Sequence, residues 1–330
     1  MAAHRPDLPA ARRPDLAAER VGGRALYASD EFFAPKERLL KPGRGVWIED
    51  RYTDRGKWMD GWETRRRREP GYDWVIVRLG LPGTVRSVIV DTNHFRGNAP
   101  ASASVDACEA RDDARATLDR AAWRTIVPET PLEPHTENLL VAVDDARRVT
   151  HVRLTIHPDG GVARFRVLGE VAPDWSRIAP SGQPIDLAAL AQGGVIVAAS
   201  DEFFSAPLNL LMPGDGVGMH DGWETRRRRG PGNDWVVVRL GRRGRLRQAV
   251  IDTRWFKGNN PGAASVDAAD AAREASVESL QWQTALERVI LGPDEVHVFA
   301  LELVTATHVR LQIYPDGGVS RLRILGEPAS

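Results

Sequence analysis

Two carboxylates, a hydroxyl, an indole and four consecutive guanidinium groups lie within nine residues of this chain, and the set occurs twice. Asp-Gly-Trp-Glu-Thr-Arg-Arg-Arg-Arg occupies 60–68 and again 221–229. Both copies run on into Pro-Gly-x-Asp-Trp-Val-x-Val-Arg-Leu-Gly, so 60–80 and 221–241 agree at 18 of 21 positions. Asp and Glu serve as general acids or bases and as ligands for hard or borderline metals. Arginine offers a rigid fork of donors that fits a carboxylate. A charged edge strand with internal ion pairs would explain the arginines, each pair being worth little. It would not explain Trp-Glu-Thr standing unchanged in both copies.

Further pairs of motifs follow in the same order. Asp91-Thr92, Phe95, Gly97, Asn98 and Pro100 return as Asp252-Thr253, Phe256, Gly258, Asn259 and Pro261. Each set ends a strand and enters a glycine-containing loop, where ligands are commonly held. Pro-Asp-Gly-Gly at 158–161 and 315–318 reads as a tight reversal, placing Asp159 and Asp316 at its tip. His94, near Asp91, is the best acid/base or metal-ligand candidate among the histidines, because imidazole titrates near neutrality. Its counterpart in the second copy is Trp255. His151 and His308, inside the repeated Thr-His-Val-Arg-Leu, are expected to complete local hydrogen-bond networks.

The elements that must position these groups are short strands. Segments 75–79 and 152–156 alternate apolar with polar residues, the period of a half-buried strand. Comparable runs at 74–79, 85–91, 103–107, 139–143, 151–156 and 165–168 are separated by Gly/Pro turns. About eight strands in a unit of roughly 150 residues predict an all-β fold, a β-sandwich of jelly-roll kind. The duplication predicts two in tandem: a flexible leader at 1–21, a first repeat at 22–172, a linker at 173–196 and a second repeat at 197–330. Residues 185–192 are expected to form a short helical turn. The register between copies falls from 171 to 161 to 157, and the larger insertion in the first copy is 48–58.

Composition narrows the function. Lys+Arg and Asp+Glu both number 45, so a dominant grip on nucleic acid is not expected. The single cysteine, Cys108, forbids an intrachain disulfide and reads as a bland thiol in a reducing, cytoplasmic setting. No run reaches the roughly 18 apolar residues of a membrane span. P-loop, nucleophile-elbow, zincin and Cys-x-x-Cys signatures are all missing.

The four repeated motifs, Asp-Gly-Trp-Glu-Thr-Arg-Arg, Asp-Trp-Val-x-Val-Arg-Leu-Gly, Asp-Thr-x-x-Phe-x-Gly-Asn-x-Pro and Pro-Asp-Gly-Gly-Val-x-Arg, resemble the allantoicase family over about residues 22–327. The resemblance implies galactose-binding-like jelly rolls, a homo-oligomer, and hydrolysis of allantoate to ureidoglycolate and urea. Carried onto these motifs, it implies Asp60, Glu63, Asp91, His94 and Glu224 as catalytic residues. It implies Trp62, Arg65, Arg66, Asn98, Asp159, Asp221, Arg226, Arg227, Asp252, Asn259 and Asp316 as substrate-binding residues. Trp62 or Trp223 would stack on a ureido plane and an arginine would clamp the carboxylate. No cofactor is specified, and the carboxylates leave a divalent metal open. The rival readings are a non-catalytic ligand-binding sandwich and a hydrolase of a related ureido acid such as ureidoglycolate. Which repeat holds the pocket is left open.

Overall fold

The computed structural model describes residues 13–178, 183–272 and 275–329. They form two compact units, one spanning Arg13–Ala172 and the other taking in Pro173–Ser330. In the first, the strands are β1 (Arg24–Ala28), β2 (Tyr52–Thr53), β3 (Gly56–Lys57), β4 (Trp62–Glu63), β5 (Asp73–Asp91), β6 (Ser102–Cys108), β7 (Arg124–Pro131), β8 (Glu137–Val141), β9 (Val149–His157), β10 (Gly161–Val162) and β11 (Arg164–Val171). Among the described residues the second unit repeats this order without β2 and β3 and with a short added strand at Ile185–Asp186; Trp223–Glu224, Asp234–Asp252 and Gly318–Val319 stand for β4, β5 and β10.

Each unit is a jelly-roll β-sandwich organised by one long strand. The runs expected as separate strands at 74–79 and 85–91 are a single 19-residue element, β5. Its first part, 73–78, pairs with β9, and residues 75–78 within it also pair with β1. Its second part, 83–91, pairs with β11, and residues 87–91 also pair with β8. The β9 register breaks between Arg78 and Gly83, as its counterpart in the second unit does between Arg239 and Gly244. One strand therefore serves both layers. Between them lie Val75, Val77, Val88, Val90, Val105, Val152, Leu154, Phe165 and Val167, all fully buried. Each such side chain contributes about 1.5–3 kcal/mol by leaving water.

Two expectations are corrected. Residues 13–21, read as leader, belong to the first sandwich: Leu16 and Ala17 are fully buried, and Asp15 Oδ1 accepts from the amides of Ala17 (3.0 Å) and Val167 (2.9 Å). Residues 1–12 lie outside the described ones. Residues 185–194, read as linker, do the same for the second sandwich. Asp186 Oδ1 accepts from Ala188 (3.1 Å) and Ile324 (3.0 Å), and a single 3-10 turn follows at Leu190–Gln192. The matching Asp-Leu-Ala-Ala at 15–18 and 186–189 marks this shared start in the sequence. Among the described residues no helix is long and apolar enough to cross a membrane.

Candidate active site

Strand alternation sorts the central motif. On β4, Trp62 turns into the core, fully buried, and its indole Nε1 donates to the Asp30 carbonyl at 2.8 Å. Glu63, its neighbour, therefore faces the other way. Thr64 is buried again and clamps the next layer: the Gly160 amide donates to its Oγ1 at 3.1 Å, while its own amide donates to the Gly160 carbonyl at 3.1 Å. Pro-Asp-Gly-Gly is thus more than a reversal. A Cβ on Gly161 would lie 1.9 Å from the Phe95 ring, and one on Gly160, at φ +134°, would lie 2.6 Å from the Asn98 carbonyl. The bare backbone lets the 95–98 loop settle on β10, where the Gly161 amide donates to the Asn98 carbonyl at 2.8 Å. That contact delivers Asn98 Nδ2 to Glu63 Oε1 at 2.7 Å. Burial holds the Glu63 carboxyl above its ordinary range, and the Asn98 bond only partly offsets this.

Glu63 and Asn98 open into a cleft of ≈ 390 Å³, lined also by Phe33, Trp47, Arg55, Gly56, Lys57, Met59, His94, Arg96 and Gly97. Three of these, Arg55, Gly56 and Lys57, belong to the β2–β3 hairpin, built from the insertion 48–58 that the second repeat lacks. Arg55 donates to the Phe32 carbonyl (2.8 Å) and Lys57 to the Ile48 carbonyl (3.1 Å), so both are held by neutral groups. His94 lies on the rim at φ 68°, its ring 5.8 Å from Trp47 and 5.5 Å from His135. Its amide donates to His135 Nδ1 at 2.9 Å, and Arg96 Nη2 stands 3.0 Å from His135 Nε2. Burial first, then the cations Arg96 and Arg44, holds the His135 imidazole below its usual value. Sequence reading missed Arg55, Lys57, Arg96 and His135. The signal available was the difference between the copies, not their identity.

The remaining predicted residues are occupied elsewhere. Trp62 and Trp223 are fully buried and have no face to stack on a ligand. Asp60 is paired with Arg164 at 2.7 Å, both nearly buried; burial opposes ionisation, but Arg164 and the Val46 amide outweigh it and hold the carboxyl low. Asp221 meets Arg321 in the same way at 2.6 Å. Asp91 is buried beneath Arg44, which reaches it from Nη2 (2.8 Å) and Nε (3.1 Å). Asp252 is equally buried, yet its arginine comes from another place: Arg254, the counterpart of Asn93, while Asp215 stands where Arg44 would be. Asp159 and Asp316 accept from the amides of Arg67 (2.8 Å) and Arg228 (2.7 Å), steering the arginine run. Arg65 and Arg226 pair with Asp30 and Asp201. Arg66 and Arg227 are exposed and line no part of the cleft.

The second repeat keeps the central contact, Asn259 Nδ2 to Glu224 Oε1 at 2.7 Å, without the hairpin. Cys108 is buried and its thiol is pushed up to about 11, chiefly by burial, so it is no ready nucleophile. His151 bridges Thr150 (2.9 Å) and Asp113 (3.1 Å), a local network as expected. Among the described residues, no three His, Cys, Asp or Glu side chains gather as a metal set would.

Comparison with known proteins agrees with this architecture. A family model described as the allantoicase repeat matches residues 14–172 and again 185–329. A probable allantoicase 2 of Burkholderia pseudomallei is 50% identical over 98% of both chains. A probable allantoicase of Photobacterium profundum is 46% identical over 94% of this chain and 96% of its own. The crystal structure of allantoicase from Saccharomyces cerevisiae superposes with a TM-score of 0.79 at 35% identity, covering 95% of this chain and 92% of that one. With two copies of the repeat, in the same order and over nearly its whole length, the chain belongs to the allantoicase family.

Proposed function

We propose that the first-repeat cleft is where this chain performs its family's reaction. The chain is a hydrolase that splits a C–N bond of allantoate with water, giving ureidoglycolate and urea. The observation that carries the assignment of the site is Glu63. It is a carboxyl kept protonated beyond the ordinary range by burial, oriented by Asn98, and set at a cleft whose cations face no acid among the described residues.

Allantoate has one carboxylate and two ureido groups on its central carbon. Arg96, Arg55 and Lys57 give the carboxylate a positive field and donors that match its oxygens. Asn98 and Glu63 meet a ureido group through its N–H and C=O. Glu63 then donates its proton to the leaving nitrogen as the C–N bond breaks and urea departs. As a carboxylate it next takes a proton from the water whose oxygen bonds to the central carbon. Atoms balance: one water enters, its hydroxyl goes to ureidoglycolate and its proton restores Glu63. Such proton transfer contributes about 10²–10⁴ in rate.

Urea release by the purified chain tests this. Glu63→Gln is expected to lose at least about 10² in kcat, and Glu224→Gln to stay within about threefold of the parent. Equal losses in the two variants would sink the assignment to the first repeat. Two finer expectations belong to the same proposal: assembly of identical chains, supported by an exposed apolar row on β8, and a reducing cytoplasmic setting, supported by the single buried cysteine.

A further inference from the structure

The two repeats solve one local problem with different chemistry. After β5 and its second-repeat counterpart, the chain turns through a residue with positive φ, His94 (68°) or Trp255 (77°). In each repeat a second positive-φ residue, His135 (57°) or Asp294 (55°), takes up the free amide of the first, at 2.9 Å and 2.8 Å. The same capping residue also faces a cation two positions on, Arg96 at 3.0 Å in one repeat and Lys257 at 3.6 Å in the other. Asp294 manages both tasks, since one carboxylate oxygen accepts the amide while the other faces and neutralises the ammonium. A neutral imidazole cannot do so, because it has one lone-pair nitrogen and the His94 amide takes it at Nδ1. Nε2 then carries a hydrogen toward a guanidinium that has only hydrogens to offer. Among the described residues, Arg96 is left with neither a countercharge nor an acceptor, at the wall of the cleft.

We infer that His135 is a positioning and specificity-determining residue: it caps the 94–98 loop without neutralising Arg96, and so reserves that guanidinium for the substrate's carboxylate. This rests on the reading of the first-repeat cleft as the site of reaction. It also accounts for the asymmetry of the copies. Where the second repeat has a closed acid–lysine pair, the first has an open cation waiting for an anion.

The test compares three variants of the full chain by steady-state urea release. His135→Asp installs the second repeat's own residue, which already occupies this backbone conformation there, so the loop keeps its cap. The added charge pairs with Arg96, and KM for allantoate is expected to rise by about tenfold or more while kcat changes by less than about threefold. His135→Asn keeps an uncharged cap, tolerates positive φ, and is expected to hold KM within about threefold of the parent. Arg96→Gln is expected to raise KM as His135→Asp does. If the Asp and Asn variants share one KM while Arg96→Gln raises it, the inference about His135 is overturned and the cleft assignment stands. If Arg96→Gln leaves KM unchanged, both fall.

Discussion

At the scale of single residues, the role proposed for Glu63 carries a cost in stability. Burial disfavours its ionised form, so its carboxyl titrates above the normal Glu range in the folded chain. The stabilising contribution of the neutral form is present below the unfolded-state pKa and is lost as pH rises through the folded-state one. Glu63→Gln keeps an acceptor for Asn98 and carries no charge. It is therefore expected to melt about 2–4 °C above the parent at neutral pH, with the gap closing in acid, while its turnover collapses. A parent kcat/KM that falls on the alkaline side of a midpoint above the usual Glu value, with that limb missing from the residual rate of Glu63→Gln, is the matching kinetic signature. A variant that melts lower than the parent at neutral pH would show that Glu63 is bound into the fold rather than strained against it. Sequence reading singled out this residue together with Trp62, whose indole the fold buries. Trp62 and Thr64 are buried in the packing while Glu63 faces the cleft, and a repeated triplet viewed as text does not separate the two.

At the scale of elements, the sandwich was legible because strand alternation and Gly/Pro turns are local signals. β1 and β7 went unseen, their few apolar positions too irregular to mark a period. That 74–79 and 85–91 form one strand was also hidden, since Pro82 and Gly83 look like a turn until both layers claim the strand. The site was legible only by halves. Matching copies revealed the scaffold of Glu63, Asn98 and Gly160-Gly161. The β2–β3 hairpin, which brings Arg55 and Lys57, occurs once and so left no trace in the repeat. Replacing 48–58 by the short connection of the second repeat is expected to cut kcat/KM by at least about 10-fold, mainly through KM. Because the hairpin is almost wholly exposed, the melting temperature should drop by less than about 3 °C. An unaltered KM would remove the hairpin from substrate binding.

At the scale of the whole molecule, both sandwiches leave the same side open. β8 pairs only with β5 among the described residues, and its outward Leu139 and Val141 are 54% and 75% exposed. Val296 and Val298 stand at 41% and 57% on the corresponding strand. Edge strands carrying apolar rows are ordinarily covered. Light scattering is expected to give a multiple of 36.4 kDa, lowered by Val141→Lys combined with Val298→Lys. A parent that scatters as a single chain would refute the assembly.

The buried acids Asp91 and Asp252 carry a lesson about how the halves have diverged. Each has kept its arginine, but in the first copy it arrives from position 44 and in the second from position 254, with Asp215 and Asn93 filling the vacated places. Such a relocation passes through intermediates bearing either two acids face to face or two guanidiniums competing for one, so the two changes are coupled. Arg44→Asp alone is expected to destabilise the first sandwich by about 3–5 kcal/mol, and adding Asn93→Arg to recover most of that loss in a denaturant melt. Strict additivity would show the positions to be independent. Coupled substitutions of this sort act as a ratchet. Once the halves had taken different routes to the same ion pair, single exchanges between them were closed off, and each was free to specialise without being averaged back into its twin.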